Sequence, residues 1–222
     1  MKPAWAAAFD MDGVIVDNKK YHFSAWRLFA EKHGLEFREE GFKNRLFGRT
    51  NREILEGLFG RSLPVGEVKV LAEEKEALYR RLYADEVRPM PGLESLLREI
   101  KQAGVPTAVC TAAPRVNLDF VLDRAGLRPY FSVLVDESLV ARGKPAPDLY
   151  LKAAGLLAVP PAKCVAFEDS LPGVASALAA GMKVVALTTT HKAEELAQAH
   201  LIAADFSGLT LSRVRALLSF ED

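Results

Sequence analysis

The chain has 222 residues, with 29 basic and 29 acidic side chains and a formal net charge of zero. That balance offers no basic field of the kind nucleic acid or an anionic membrane surface requires, so neither is expected as a partner and a small substrate is. No apolar stretch reaches the roughly 18 residues of a membrane span, and the N-terminus lacks a basic segment followed by a long apolar one. A soluble, cytoplasmic protein is therefore expected; a monomer is taken as the default, with nothing in the sequence that fixes the oligomeric state. The length allows one large core, or a core domain plus a smaller one. Of the two cysteines, Cys110 and Cys164, each lies in or beside an apolar run where a thiol behaves as a small hydrophobe, so no disulfide is expected.

The first element is the run Trp5–Phe9, within Ala6-Ala7-Ala8-Phe9-Asp10-Met11-Asp12-Gly13-Val14. A short continuous apolar run reads as a buried parallel strand, and open α/β sheets place their sites at the carboxyl ends of such strands. Side chains alternate along an extended chain, so Asp10 and Asp12 project the same way. Two converging carboxylates call for a cation or a shared proton. The alternative is a strand ending in a solvated Asp-Gly turn.

Residues 18–88 carry no strand pattern. They read as helices at about 19–33, 38–46, 51–59 and 66–84, with breaks near Gly34, Gly48 and Pro64. An all-helical domain over 18–88, inserted into a core domain of residues 1–17 and 89–222, is the expected organisation. Placed directly after a strand end, such an insertion is suited to act as a lid.

From residue 92 strands and helices alternate, the mark of βαβ units around a parallel sheet. Strands are predicted at Val105–Cys110, Phe131–Val135, Cys164–Phe167 and Met182–Leu187. The intervening segments have helical apolar faces: Leu93, Leu96, Leu97 and Ile100; Val121, Leu122 and Ala125; Val174, Leu178 and Ala179. Glycines at 104, 126 and 181 follow these helices, where a left-handed cap is wanted.

Further polar groups follow these strands. Thr111 ends one, Gly143-Lys144-Pro145 precedes the predicted 147–157 helix, and Glu168-Asp169-Ser170 ends another. A hydroxyl, an ammonium and a second carboxylate pair are what a transferring phosphoryl group and a hard cation such as Mg2+ require. Each has a plainer reading as a helix cap or a solvated loop charge.

Asp10-Met11-Asp12-Gly13, Thr111, Lys144-Pro145 and Glu168-Asp169-Ser170, in this order and spacing, resemble the four signature motifs of the haloacid dehalogenase superfamily. The helical insertion resembles the cap of the subfamily that includes β-phosphoglucomutase and many sugar-phosphate phosphatases. The resemblance implies a Rossmann-like α/β core with a parallel sheet flanked by helices. It implies Asp10 as nucleophile, forming an aspartyl phosphate, and Asp12 as general acid and base. It also implies Mg2+ held by the Asp10 carboxylate, the Asp12 carbonyl and Asp169, with Glu168 as a further candidate. Thr111, the Ala112 N–H and Lys144 would bind phosphoryl oxygens. An acid at position 12 points to phosphate esters rather than halides.

In the helical insertion the resemblance implies substrate contacts from His22, from Arg49 or Arg52, and from Lys75, with Asn117 after the Thr111 loop. Phe47 stands where the mutase pattern has a lysine, and Gly48-Arg49-Thr50-Asn51-Arg52 is one residue longer than its counterpart. Losing an anion-binding lysine favours a phosphatase of a small phosphorylated metabolite, a sugar phosphate in particular. The alternatives are a phosphomutase moving phosphate between C1 and C6 of glucose, and a non-catalytic binding module. Trp26 reads as a core aromatic of the insertion, and His33, His191 and His200 as surface or cap residues.

Overall fold

The computed structural model describes residues 3–37 and 50–218. The predicted helix at 38–46, with Phe47 and Arg49, lies outside the described residues. In chain order the elements are β1 (Ala6–Phe9), α1 (Lys19–Lys32), α2 (Asn51–Phe59), α3 (Val65–Tyr83), α4 (Leu93–Gln102), β2 (Thr107–Cys110), α5 (Arg115–Arg124) and β3 (Val133–Val135). They continue with α6 (Asp148–Leu157), β4 (Cys164–Glu168), α7 (Leu171–Ala179), β5 (Lys183–Leu187), β6 (Leu201–Ala203) and α8 (Leu211–Ala216). Two compact units result, one of residues 1–17 and 88–222, the other Asn18–Val87.

In the first unit six strands form one parallel sheet in the order β3-β2-β1-β4-β5-β6. The α/β core with a parallel sheet expected from the sequence is thus observed. β1 lies at its centre, with Ala8 opposite Ala108 on one side and Ala166 on the other. All four β1 residues are buried, which is why the strand reads as an unbroken apolar run rather than an alternating one. On one face Ala6 and Ala8 pack with Leu149, Tyr150 and Ala153 of α6. Phe9 stacks on Phe167 at 4.4 Å between centroids and meets Phe131 edge-on at 5.7 Å.

The chain steps from β1 through β2 to β3 in one direction and from β4 through β5 to β6 in the other. β1 and β4 therefore flank a switch point, where such sheets open a crevice at their carboxyl ends. After β1, the Met11 carbonyl accepts from the N–H groups of Val14, Ile15 and Val16, and Gly13 N–H donates to Val16 O. The Met90 N–H donates to the Ile15 carbonyl at 2.8 Å, tying the chain's return to its departure.

The helix faces follow the predicted pattern with one correction. Ala179 of α7 is exposed, and Ala177 is buried in its place with Val174. The strand β6 and the helix α8 were not predicted.

In the second unit α2 opens with a capping box: Thr50 N–H donates to Glu53 Oε2 at 2.7 Å and Glu53 N–H to Thr50 Oγ1 at 3.3 Å. Trp26, Phe29, Ile54, Leu55, Leu63 and Leu71 form its core, with Trp26 edge-on to Phe29. Trp26 is thus the core aromatic expected. No described helix is long and apolar enough to cross a membrane.

Candidate active site

The carboxyl ends of β1 and β4 and the loop before α6 bring Asp10, Lys144, Glu168 and Asp169 together. Asp10, Glu168 and Asp169 are buried, and each offers an oxygen within 4.8 Å of the others. Lys144 Nζ lies 2.6 Å from Asp10 Oδ1, 2.5 Å from Glu168 Oε1 and 3.2 Å from the Cys110 carbonyl. Those three acceptors match the three protons of an ammonium.

Burial pushes the Asp10 carboxyl well above the usual carboxylate range. The Lys144 ammonium opposes the shift, while Glu168, Asp169 and Asp12 add to it. Burial works against the Lys144 charge too, but Asp10 and Glu168 outweigh it and hold its pKa above the ordinary lysine value. Three close carboxylates with one ammonium leave an excess of negative charge in a dry place. Hard oxygen donors with that excess fit a small divalent cation.

Glu168 is held by five hydrogen-bond contacts. Its Oε1 accepts from Lys144 and, at 2.7 Å, from the Tyr150 hydroxyl. Its Oε2 accepts from the N–H groups of Asp169 and Ser170 and from Ser170 Oγ. Ser170 Oγ also caps α7 by accepting from Gly173 N–H. Two glycines make room for the carboxylates. A Cβ on Gly173 would lie 2.0 Å from Glu168 Oε1, and one on Gly13, whose φ is +82°, would lie 2.0 Å from Asp169 Oδ2.

Asp12 is half-buried two residues beyond Asp10, in the turn that pairs it with Val16. Thr111 is buried directly after β2, where its Oγ1 accepts from Ala113 N–H at 3.0 Å, and Ala112 is exposed beside it. Asn117 is fully buried in α5 rather than facing outward.

In the helical unit, Lys75 Nζ lies 3.0 Å from His22 Nδ1 and 2.8 Å from Glu76 Oε1. The His22 ring stacks on Tyr79 at 3.9 Å. Burial, then the Lys75 charge, lowers the His22 imidazole to about 3. Arg52 is turned elsewhere, to Glu56 Oε1 at 2.9 Å and the Leu63 carbonyl at 3.0 Å. The other histidines have partners that the sequence did not disclose: His33 with Glu74, His191 with Glu195, and His200, whose Nδ1 accepts from Val184 N–H.

Tyr150, Thr189 and Thr190 also contact the cluster and belong to none of the sequence motifs. Tyr150 sits on an apolar helical face and reads as core. Thr189 donates to the Gly13 carbonyl at 2.6 Å, and Thr190 bonds Asp169 Oδ2. The strand-end rule that found Thr111 applies equally to β5 and would have found them. Both cysteines are free and buried, and burial raises both thiols, that of Cys164 to about 11.

A parallel sheet with a buried carboxylate and lysine cluster at its switch point fits an α/β enzyme of the phosphoryl-transfer type. The chain belongs to the haloacid dehalogenase-like hydrolase family, whose model matches residues 6–181, and it is an enzyme of that family. It is 33% identical to β-phosphoglucomutase of Bacillus subtilis over 217 residues, covering 93% of this chain and 92% of that protein. It is 34% identical to a phosphorylated carbohydrates phosphatase of Thermotoga maritima, covering 80% of this chain and 82% of that protein. A crystal structure of a family IA variant 3 hydrolase from Entamoeba histolytica superposes with a TM-score of 0.90 at 28% identity, covering 97% of this chain and 99% of that one.

Proposed function

We propose that the chain is a Mg2+-dependent phosphomonoesterase acting on a small phosphorylated metabolite, a sugar phosphate in particular. The observation that carries this reading is Asp10, held by Lys144 within the buried cluster at the sheet's switch point.

In this reading a carboxylate oxygen of Asp10 attacks phosphorus, and the bond from phosphorus to the leaving oxygen breaks. Asp12 gives that oxygen a proton. It then takes one from the water that attacks the aspartyl phosphate, so that inorganic phosphate leaves and Asp10 is regenerated. Lys144, the Thr111 hydroxyl and the Ala112 N–H bind phosphoryl oxygens; the Thr111 proton is not used in accepting from Ala113. Magnesium held by Asp10, the Asp12 carbonyl and Asp169 would offset the negative charge shared by Asp10 and the phosphate. Glu168, surrounded by five donor contacts, serves in this reading chiefly as the anchor of Lys144.

Hydrolysis is preferred to mutase chemistry because, among the described residues, both cations of the helical unit expected at the substrate, Lys75 and Arg52, are paired within that unit. Lys75 is 2% exposed against Glu76, and Arg52 is spent on Glu56 and Leu63. A mutase has to grip a second phosphate as well. The mutase reading retains the near full-length similarity to the Bacillus subtilis enzyme. Incubation with β-glucose 1-phosphate and a trace of the bisphosphate separates the two. We expect inorganic phosphate to appear faster than glucose 6-phosphate, and the reverse order overturns the preference. A panel of sugar phosphates, phosphoglycolate, nucleotides and pyrophosphate then ranks substrates by kcat/KM.

A further inference from the structure

We infer that Thr189 and Thr190 form a hydroxyl clamp that orients Asp169 and the Gly13 carbonyl, and so sets the affinity of the carboxylate cluster for its divalent cation. The inference rests on the metal-centre reading above and concerns a strand end outside the four motifs.

The ladder between β5 and β6 is extended by Thr188, whose N–H donates to the Ala203 carbonyl at 2.9 Å. The next two residues turn into the site. Thr189 Oγ1 lies 2.6 Å from the Gly13 carbonyl and 3.2 Å from Asp169 Oδ2. A hydroxyl has one proton to give, and the shorter contact takes it to Gly13. Thr190 Oγ1 then supplies the hydrogen bond to Asp169 Oδ2.

The two bonds have different effects. Thr189 fixes the peptide that follows Asp12 and Gly13, the loop that carries both candidate catalytic acids. Thr190 engages one oxygen of Asp169, whose carboxylate already lies against the Gly13 backbone where no Cβ fits. Thr190 thus restrains the carboxylate on one side and the Gly13 backbone on the other. Hydrogen bonds to a ligating carboxylate orient it before metal arrives, and removing them typically weakens metal affinity. Thr189 and Thr190 are positioning residues; neither is assigned a contact with the reacting phosphate.

The test is Mn2+ binding to the substrate-free protein, followed by the electron paramagnetic resonance of free Mn2+. We expect Thr189→Val and Thr190→Val to bind roughly tenfold more weakly, and the serine variants to stay within about twofold of the parent, because serine keeps the hydroxyl. With an aryl phosphate, the valine variants should need correspondingly more Mg2+ for half-maximal rate at little change in KM. Valine variants that bind Mn2+ like the parent while only their melting temperature falls overturn the clamp and leave the metal centre standing. A parent protein that binds no Mn2+ overturns the metal centre and the clamp with it.

Discussion

Asp10 and Asp12 are two residues apart yet live in different surroundings. Asp10 is buried beneath Lys144, while Asp12 is half-exposed in the turn. The difference suits a nucleophile that must be desolvated and an acid that must exchange protons with water. We expect Asp10→Asn to lower turnover of p-nitrophenyl phosphate by at least about a hundredfold. Asp12→Asn should cost alkyl phosphates about 10²–10⁴-fold and the aryl ester much less, since nitrophenolate leaves without a proton. Equal losses on both esters in kcat/KM, which does not include hydrolysis of the shared aspartyl phosphate, would remove Asp12 from the acid role. Gly13→Ala meets both a positive φ and the Asp169 carboxylate. Urea denaturation should show about 1–3 kcal/mol of lost stability from the backbone alone, together with weaker Mn2+ binding.

His22 gives a pH prediction. Its folded pKa, about 3, lies below the ordinary 6.5. As pH falls below 6.5 the unfolded chain takes up a proton that the folded chain refuses, so stability drops on acidification. Glu76, held down to about 2 by Lys75 and His22 against the effect of burial, adds a loss in the same direction below its usual 4.5. Melting temperatures between about pH 7 and pH 5 should therefore fall in the parent, and less steeply in His22→Gln.

Among the elements, the inner strands were legible because a strand buried on both faces has no alternation to hide it, and Ala6-Ala7-Ala8-Phe9 is the clearest case. β6 was not legible. It has three half-buried residues at the sheet's edge, and it is a strand only because Val185, Ala186 and Leu187 offer it a ladder. α8 is six residues long with one buried side chain, Val214, too few for a periodicity to register. The site divides in the same way. Polar residues ending apolar runs could be read from the sequence, whereas Tyr150 looks like any other member of an apolar face until Glu168 is placed against it. In the helical unit the core rests on large side chains, so Trp26→Ala should cost about 3–5 kcal/mol, measured by chemical denaturation. Unchanged stability would mean that Trp26 does not hold α1 to its neighbours.

At the scale of the whole molecule, the site draws on residues from Asp10 to Thr190, carried by four strand ends and a loop. Each side chain is local, but their meeting depends on parallel pairings such as Ala7 with Thr107 and with Val165. Chelation tests the assembled centre: EDTA should abolish phosphatase activity and Mg2+ should restore it, with circular dichroism unchanged throughout. Activity that survives exhaustive chelation would exclude the divalent centre.

The hydrogen bond from Met90 to Ile15 makes the chain re-enter the core beside the place where it left. To the core, everything between Asp17 and Arg88 is a closed loop, and the chain entropy of such a loop grows only with the logarithm of its length. Doubling the loop adds about 0.6 kcal/mol. Lengthening or shortening the inserted segment is therefore nearly neutral for the sheet, and over generations the insertion can diverge while the carboxylates at the strand ends stay where they are.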